Sequence, residues 1–404
     1  MPEAKESLPY RVLARKYRPV DFTTLVGQEA MVRTLRNAIA TGRIAHAFML
    51  TGVRGVGKTT TARIIARALN CTGADGKGGP TVDPCGVCEN CKAITEDRHV
   101  DVIEMDAASR TGIDDVRELI EGVRYRPVSA RYKVYIIDEV HMLSEKAFNA
   151  LLKTLEEPPP HVKFLFATTE IRKVPVTVLS RCQRFDLKRV PQQVLIDHFA
   201  KIAVAEKVEI SPEALTLLAR AADGSVRDGL SMLDQAIAHG GGVVDAAQVR
   251  DMLGLADRSR VLELFEKTMR GDAPAVVATL GEMHDSGADP VVILQDLLEF
   301  THWVTRLKVA PDAAASSADS ERAQGLAMAG KLSMASLTRA WTLLLKGLQE
   351  TLSAPSPLRA AEMALIRLCY AADLPSPSDA IKALQGGAGA AASNGGGPAP
   401  TPRG

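Results

Sequence analysis

Hydrophobic positions along this chain follow two different periods. Short runs that are apolar at nearly every position stand at 47–50 (AFML), 100–105 (VDVIEM), 134–138 (VYIID) and 163–169 (KFLFATT). Over 60–69, 112–123 and 144–155 the apolar residues return every three or four positions instead, the spacing of an amphipathic helix. This alternation predicts βαβ units, a parallel sheet with helices on both faces, which is the α/β class. Ligands of such sheets gather at the carboxyl ends of the strands. From about 190 onward the β-rich runs give way to Ala/Leu-rich helical patterns such as PEALTLLARAADG at 212–224 and AEMALIRLCYAADL at 361–374. Ser211 followed by Pro212 is an N-cap with proline at the first helical position, and Gly240, Gly241 and Gly242 mark a break near 243. The expected division is an α/β domain over 1–187, a small helical domain over 188–243 and a second helical domain over 244–374. The last stretch, 375–404, is so rich in Gly, Ala, Ser and Pro that it buries no core and is expected to be a flexible tail or linker.

The chemistry sits first at 52–59, GVRGVGKT, between the run ending at Leu50 and the helical pattern from Thr60. Strand, glycine loop and helix in that order are the context a GxxxxGK[ST] phosphate-binding loop requires. Gly52, Val53, Arg54, Gly55, Val56 and Gly57 would aim successive backbone N–H groups at phosphate oxygens, and the following helix adds the positive end of its dipole. Lys58 would sit on the β- and γ-phosphates of a nucleotide, Thr59 would supply a hydroxyl for Mg²⁺, and Thr60 opens the helix. Downstream, the run ending at Asp138 and Glu139 has the form of a Walker B strand. Asp138 would hold the Mg²⁺ shell and Glu139 would orient and polarise a water. Thr168 and Thr169 end the next run, where threonine also suits a pleated surface. Phosphoryl transfer needs positive charge against its transition state, and Arg181 in VLSRCQRF and Arg227 in GSVRDGL are the candidates. Each has a plainer reading: Arg181 as a surface residue, and Ser225 with Asp228 as a helix-capping box.

Cys85, Cys88 and Cys91 occur as CGVCENC, with Cys71 fourteen positions before Cys85. Four thiols at this spacing suit one tetrahedral zinc ion, a structural site because all four positions are filled; a redox site or free thiols are the alternatives. Cys182 and Cys369 stand apart as small packing residues, and no histidine is needed as a ligand. The length of 404 residues exceeds what one core usually organises. With 46% hydrophobic and 24% charged residues and a net charge of +1, the chain offers no global field for nucleic acid or membrane, so any DNA contact must be local. Arg11, Arg15, Lys16 and Arg18 form one such basic cluster, which is equally a solvated face. MPEAKESLPY lacks the apolar core of a signal peptide, and no uncharged run is long enough to span a bilayer, so a cytoplasmic protein with no membrane partner is expected.

The phosphate loop, the cysteine insertion, DEVHML at 138–143, FNALLKTLEEPP at 148–159, FATTE at 166–170, LSRC at 179–182 and GSVRD at 224–228 form a set. Together with ARKYRPVDFTTLVGQ at 14–28, this set resembles the gamma/tau ATPase subunit of the bacterial DNA polymerase III clamp loader, over about 10–374. The resemblance implies an AAA+ P-loop NTPase domain with a zinc-binding insertion, a small helical lid domain and an all-α collar. The collar would join five subunits, gamma/tau copies with delta and delta prime, into a pentameric ring. It also implies ATP, Mg²⁺ and Zn²⁺ as cofactors, with the sliding clamp and primer-template DNA as partners at replication forks on the nucleoid. By the resemblance Arg181 acts in trans on a neighbour's γ-phosphate, Arg227 is the lid arginine, Thr169 is the sensor threonine, and Tyr17 and Val26 lie near the adenine. The long tau form continues into segments for the polymerase core and the replicative helicase, which a chain ending at 404 would lack. Two other readings share part of the signal. A ring translocase such as a branch-migration helicase would keep Lys58, Asp138, Glu139 and Arg181 but not the cysteine insertion; a non-hydrolysing scaffold would tend to lose Lys58, Thr59 and Glu139.

Overall fold

The four apolar runs become strands of one parallel sheet, joined by a fifth strand that the pattern did not announce. A computed structural model describes residues 11–110, 112–253, 258–310 and 319–372, so the Gly/Ala/Pro-rich tail expected at 375–404 lies outside the described residues. The chain divides into two compact units, Met1–Val249 and Arg250–Gly404.

In the first unit the strands are β1 (Ala47–Thr51), β2 (Val102–Asp106), β3 (Lys133–Asp138), β4 (Val162–Thr168) and β5 (Gln183–Asp186), in the spatial order β2-β3-β4-β1-β5. All their pairings are parallel, with Thr51 opposite both Thr168 and Asp186, and Asp106 opposite Asp138. The carboxyl ends of β1, β3 and β4 therefore share one edge. Residues alternate between two cores: Ala47, Met49, Ile137, Phe164 and Phe166 face one side, and Phe48, Leu50, Val134, Ile136 and Leu165 the other. Burial on both faces is why these runs are apolar at every position rather than at alternate ones. Each such buried Phe, Leu or Ile contributes about 1.5–3 kcal/mol. The strand β5 escapes the pattern because it is an edge strand in which Phe185 alone is buried.

The helices that follow in this unit are α1 (Leu13–Lys16), α2 (Glu29–Ala40), α3 (Lys58–Asn70), α4 (Glu89–Thr95), α5 (Ile113–Val123), α6 (Glu145–Glu156), α7 (Val176–Leu179), α8 (Gln192–Glu206), α9 (Pro212–Ala221) and α10 (Val226–Gly240). The next, α11 (Ala246–Leu253), contains the division between the units. As expected, Ser211 caps α9 by accepting from the N–H of Ala214, with Pro212 in the first turn. The helical stretch after 190 also contains two short strands, β6 (Glu209–Ile210) and β7 (Val243–Val244), paired in parallel. At two residues each they are too short to show a period.

The second unit holds α12 (Arg258–Met269), α13 (Ala273–Asp285), α14 (Pro290–Val309), α15 (Asp319–Lys331), α16 (Met334–Ser353) and α17 (Pro357–Ala372). Leu264, Phe265, Leu297, Val304, Leu344 and Leu365 meet in its core, and Phe265 packs edge-to-face on Phe300 with ring centres 5.0 Å apart. The free thiol of Cys369 is buried there as a packing residue.

Candidate functional site

Between β1 and α3 the chain turns through a loop whose shape demands glycine. At Gly52, φ is +148° and a Cβ would lie 2.7 Å from the Leu187 carbonyl oxygen; at Gly55, φ is +77° and a Cβ would lie 1.9 Å from Ser225 Oγ. The second approach ties the loop to the small helical region. Ser225 caps α10 by accepting from Asp228 N–H and donates its hydroxyl to Asp228 Oδ2, while its own N–H donates to Ala222 O, so the N-cap read from sequence is present without the reciprocal backbone bond of a full capping box. The Arg227 N–H donates to Gly55 O at 3.2 Å. Capping and a contact with the phosphate loop are therefore one arrangement, not alternatives.

A cavity of about 890 Å³ opens over this loop. Arg54, Gly55, Val56, Gly57, Lys58, Thr59 and Thr60 line it from the loop and α3, Asp138 and Glu139 from the end of β3, and Arg227 from α10. Gly52 and Val53 contribute differently: their carbonyl oxygens accept from Lys58 Nζ at 3.0 and 3.1 Å. Burial lowers the Lys58 ammonium below its usual range, against the pull of the Glu139 and Asp138 carboxylates. A buried cation held only by loop carbonyls is suited to polyphosphate. Thr59 Oγ1 donates to Asp138 Oδ2 at 2.5 Å. This hydroxyl and carboxylate are hard oxygen donors side by side, the donor set of an Mg²⁺ ion shared with substrate phosphates.

Glu139 follows with φ +45°, in the left-handed region, its N–H donating to Asp138 Oδ1 at 2.9 Å. A non-glycine residue held there is strained by about 1–3 kcal/mol, which the surrounding contacts must offset. The turn aims its carboxylate at the end of β4, where Glu139 Oε2 accepts from Thr169 Oγ1 at 3.0 Å. Thr169 lies one residue past β4 and so stands free to face the site, whereas Thr168 is fully buried as the strand's last residue.

The N-terminal segment closes the cavity. Tyr17 and Val26 line it, as do Arg11, Arg15, Lys16 and Arg18. The reading of these basic residues as an external solvated face fails for Arg18, which is half-buried with its Nε donating to Thr60 Oγ1 at 3.0 Å; Arg11, Arg15 and Lys16 are exposed, and Lys16 Nζ pairs with Glu206 of α8 at 2.7 Å. Burial brings Arg18 below its usual range. The Tyr17 hydroxyl also donates to Glu206, and burial together with that carboxylate raises it to about 12. Sequence reasoning missed Glu206, because it lies 189 positions from Tyr17 with no local motif around it.

Arg181 is not among the residues that line this cavity. Just after α7, it pairs with Glu156 Oε1 at 2.5 Å and donates to Thr177 O at 2.6 Å. The structure thus joins the loop, Asp138, Glu139 and Arg227 around the cavity, brings in Thr169 through Glu139, and leaves Arg181 outside the cavity lining.

At the far end of α3 the thiols of Cys71, Cys85, Cys88 and Cys91 come together, their Sγ atoms all within 4.8 Å of one another. Around a tetrahedral ion with Zn–S distances of about 2.3 Å the sulfurs stand roughly 3.8 Å apart, so the cluster fits zinc. Backbone N–H groups of Gly73, Cys85, Cys88 and Cys91 point at cluster sulfurs at 3.3–3.4 Å, an arrangement that favours thiolates. Arg131 grips the insertion through the carbonyls of Leu69 and Gly78 at 2.9 and 2.7 Å. Cys182 takes no part; burial pushes its thiol up to about 12.

The parallel sheet, glycine loop and paired acidic strand end define a P-loop nucleoside-triphosphate-binding protein with a helical lid. Family models match in three places: "DNA polymerase III, delta subunit" over 27–191, "DNA polymerase III clamp loader subunit, ATPase lid domain" over 195–242, and "DNA polymerase III subunits gamma and tau domain III" over 244–384. DNA polymerase III subunit tau of Salmonella typhimurium is 43% identical over 371 residues, 92% of this chain and 57% of its own length. The Escherichia coli tau subunit is 42% identical over 93% of this chain and 58% of its own. DNA polymerase III subunit gamma of Buchnera aphidicola, from the pea aphid strain, is 38% identical over 90% of this chain and 99% of its own. The chain belongs to the DNA polymerase III gamma/tau family, and it spans a little over half the length of those two tau relatives. Among the described residues no helix is long and apolar enough to cross a membrane.

Proposed function

We propose that this chain is the ATP-hydrolysing motor subunit of a bacterial replicative clamp loader. In this reading it works in a pentameric ring with delta, delta prime and further gamma/tau copies, opening the sliding clamp and loading it on primer-template DNA for DNA polymerase III at cytoplasmic replication forks. The observation that carries the reading is the convergence of Lys58, Thr59, Asp138 and Glu139 at one loop mouth while Arg181 is held outside it. Residues 1–187 serve as the ATPase domain, 188–243 as the lid and 244–374 as the collar.

Lys58 and the loop N–H groups bind the β- and γ-phosphates, with Tyr17 and Val26 toward the adenine and Thr59 and Asp138 holding Mg²⁺. The ion, when bound, neutralises charge developing on the phosphates. Glu139 accepts a proton from the attacking water as its oxygen bonds the γ-phosphorus. The bond to the bridging oxygen breaks, and ADP departs with that electron pair. Thr169 steadies Glu139, and Arg227 reports the phosphates to the lid. Arg181, docked in a neighbour's cavity, adds positive charge only when the ring is assembled, so ATP discriminates between ring arrangements.

The test is steady-state ATP hydrolysis, with loader subunits, clamp and primed DNA added in turn. Stimulation that needs clamp and primer-template together is expected; turnover indifferent to both would favour a translocase. In the assembled complex Arg181→Ala is expected to bind ATP normally while DNA-stimulated kcat falls by about 10³-fold, the lower range for a trans-acting arginine. Normal stimulated turnover in that variant would remove Arg181 from the mechanism.

The cysteine cluster serves in this reading as a structural zinc site. Cys91→Ser is expected to purify with less than stoichiometric zinc and to lose at least about 3 kcal/mol of stability, because binding a structural ion is part of the folding free energy. Metal analysis alongside thermal unfolding checks it. A fully stable, zinc-free wild-type protein would end the zinc assignment.

A further inference from the structure

His141 lies two residues beyond Glu139 and has no part in the chemistry described so far. Its side chain is only 6% exposed, yet it is wedged between two carboxylates. Nδ1 stands 3.3 Å from Glu139 Oε2 and 3.0 Å from Thr168 Oγ1, while Nε2 stands 3.4 Å from Glu170 Oε1. The remaining bonds of the group are already committed. Thr168 Oγ1 accepts from the Glu170 N–H at 3.0 Å, and Glu139 Oε2, the oxygen facing the ring, is the one that takes the Thr169 hydroxyl. The charged groups facing the ring are thus Glu139 from the end of β3 and Glu170 from beyond β4, and Lys173 in the turn Ile171–Lys173 pairs with Glu170 at 2.9 Å.

A neutral imidazole carries one N–H. With the hydrogen on Nε2 it donates to Glu170, and the one lone pair on Nδ1 accepts from the Thr168 hydroxyl, so the ring offers Glu139 no donor. With the hydrogen on Nδ1 it donates toward Glu139 and presents a lone pair to Glu170. Only the imidazolium donates to both carboxylates at once. Glu139 is held to the end of β4 by the N–H and hydroxyl of Thr169 in either case; what the ring adds is a donor or an acceptor beside the same Oε2, and with it the direction in which that carboxylate faces.

We propose that His141 is a positioning residue for the Glu139 carboxylate, fixing together with Thr169 the direction in which it faces. The inference rests on Glu139 being the water-activating base. Loss of the ring leaves Thr169 alone to fix that direction, which lowers kcat without touching the phosphate grip of Lys58.

The test uses the full chain in the clamp-loader complex with clamp and primed DNA, comparing His141→Asn, which keeps a donor near Nδ1 without titrating, with His141→Gln, which places its donor near Nε2. His141→Gln is expected to lower kcat about tenfold at unchanged ATP affinity. His141→Asn is expected to recover part of that loss. Wild-type kcat in both variants would overturn the proposal. So would loss of ATP affinity in step with kcat, which is the mark of a ring that merely fills space. Measured alongside, a Glu139→Gln variant that turns over normally would instead remove the reading on which the proposal rests.

Discussion

Lys58→Ala is expected to lose ATP binding and hydrolysis together, with kcat/KM falling at least about 10³-fold, or ~4 kcal/mol of transition-state stabilisation. Size alone would not give this effect. The ammonium is buried, its hydrogen bonds go to the carbonyls of Gly52 and Val53, and burial lowers it below its usual range despite the pull of the Glu139 and Asp138 carboxylates. Phosphate oxygens would add charge-assisted hydrogen bonds to it, so binding ATP offsets part of its desolvation. Removing the ammonium leaves the loop N–H groups and the helix dipole, which recognise phosphate without neutralising it. Equilibrium binding of a fluorescent ATP analogue and steady-state turnover check the prediction. Undiminished values in both would restore the reading of the chain as a scaffold that does not use its nucleotide.

Glu139→Gln is expected to separate binding from chemistry: ATP is held at wild-type affinity while kcat falls by about 10²–10⁴-fold, the usual contribution of a general base. The substitution keeps the volume and one carbonyl oxygen, so the bond from Thr169 Oγ1 at 3.0 Å can persist and the carboxylate's position is largely preserved. What disappears is the site that accepts the water's proton. Because Asp138 still meets Thr59, the Mg²⁺ donors are untouched. An ATP-trapped ring should accumulate, visible as a clamp held open or bound without release. If the variant instead lost ATP affinity, Glu139 would belong to the binding shell and another group would have to activate the water.

Much of this was legible in the chain. Strands buried on both faces wrote themselves as the unbroken runs around Phe48, Ile136 and Leu165, and the loop Gly52–Thr59 was readable because its function is carried by consecutive backbone groups. The cysteines were readable for a similar reason: three of them fall within seven residues, so spacing alone limits how far their sulfurs can separate. The short strands β5, β6 and β7 were not legible. Too few of their residues are buried to impose a period, and their pairing partners hold them in place.

The basic cluster near the N-terminus shows the boundary between the two kinds of information. Composition presents Arg18 as surface charge, but Arg18 is half-buried against Thr60 at a separation of 42 residues; Lys16 is exposed, and what composition hides is its ion pair with Glu206 across 190 positions. Glu139 finds Thr169 thirty positions away only because β3 and β4 lie side by side in fixed register, and Arg227 meets Gly55 only because the lid folds back over the loop. The sequence by itself determined the fold class, the phosphate loop, the acidic pair and the thiol cluster, since each is a local pattern whose geometry the backbone enforces over a few residues. The tertiary structure alone decided which distant side chains complete the site, that Arg181 stands outside it, and that His141 is held between two carboxylates. Those contacts depend on strand register and helix packing, which no stretch of sequence specifies alone.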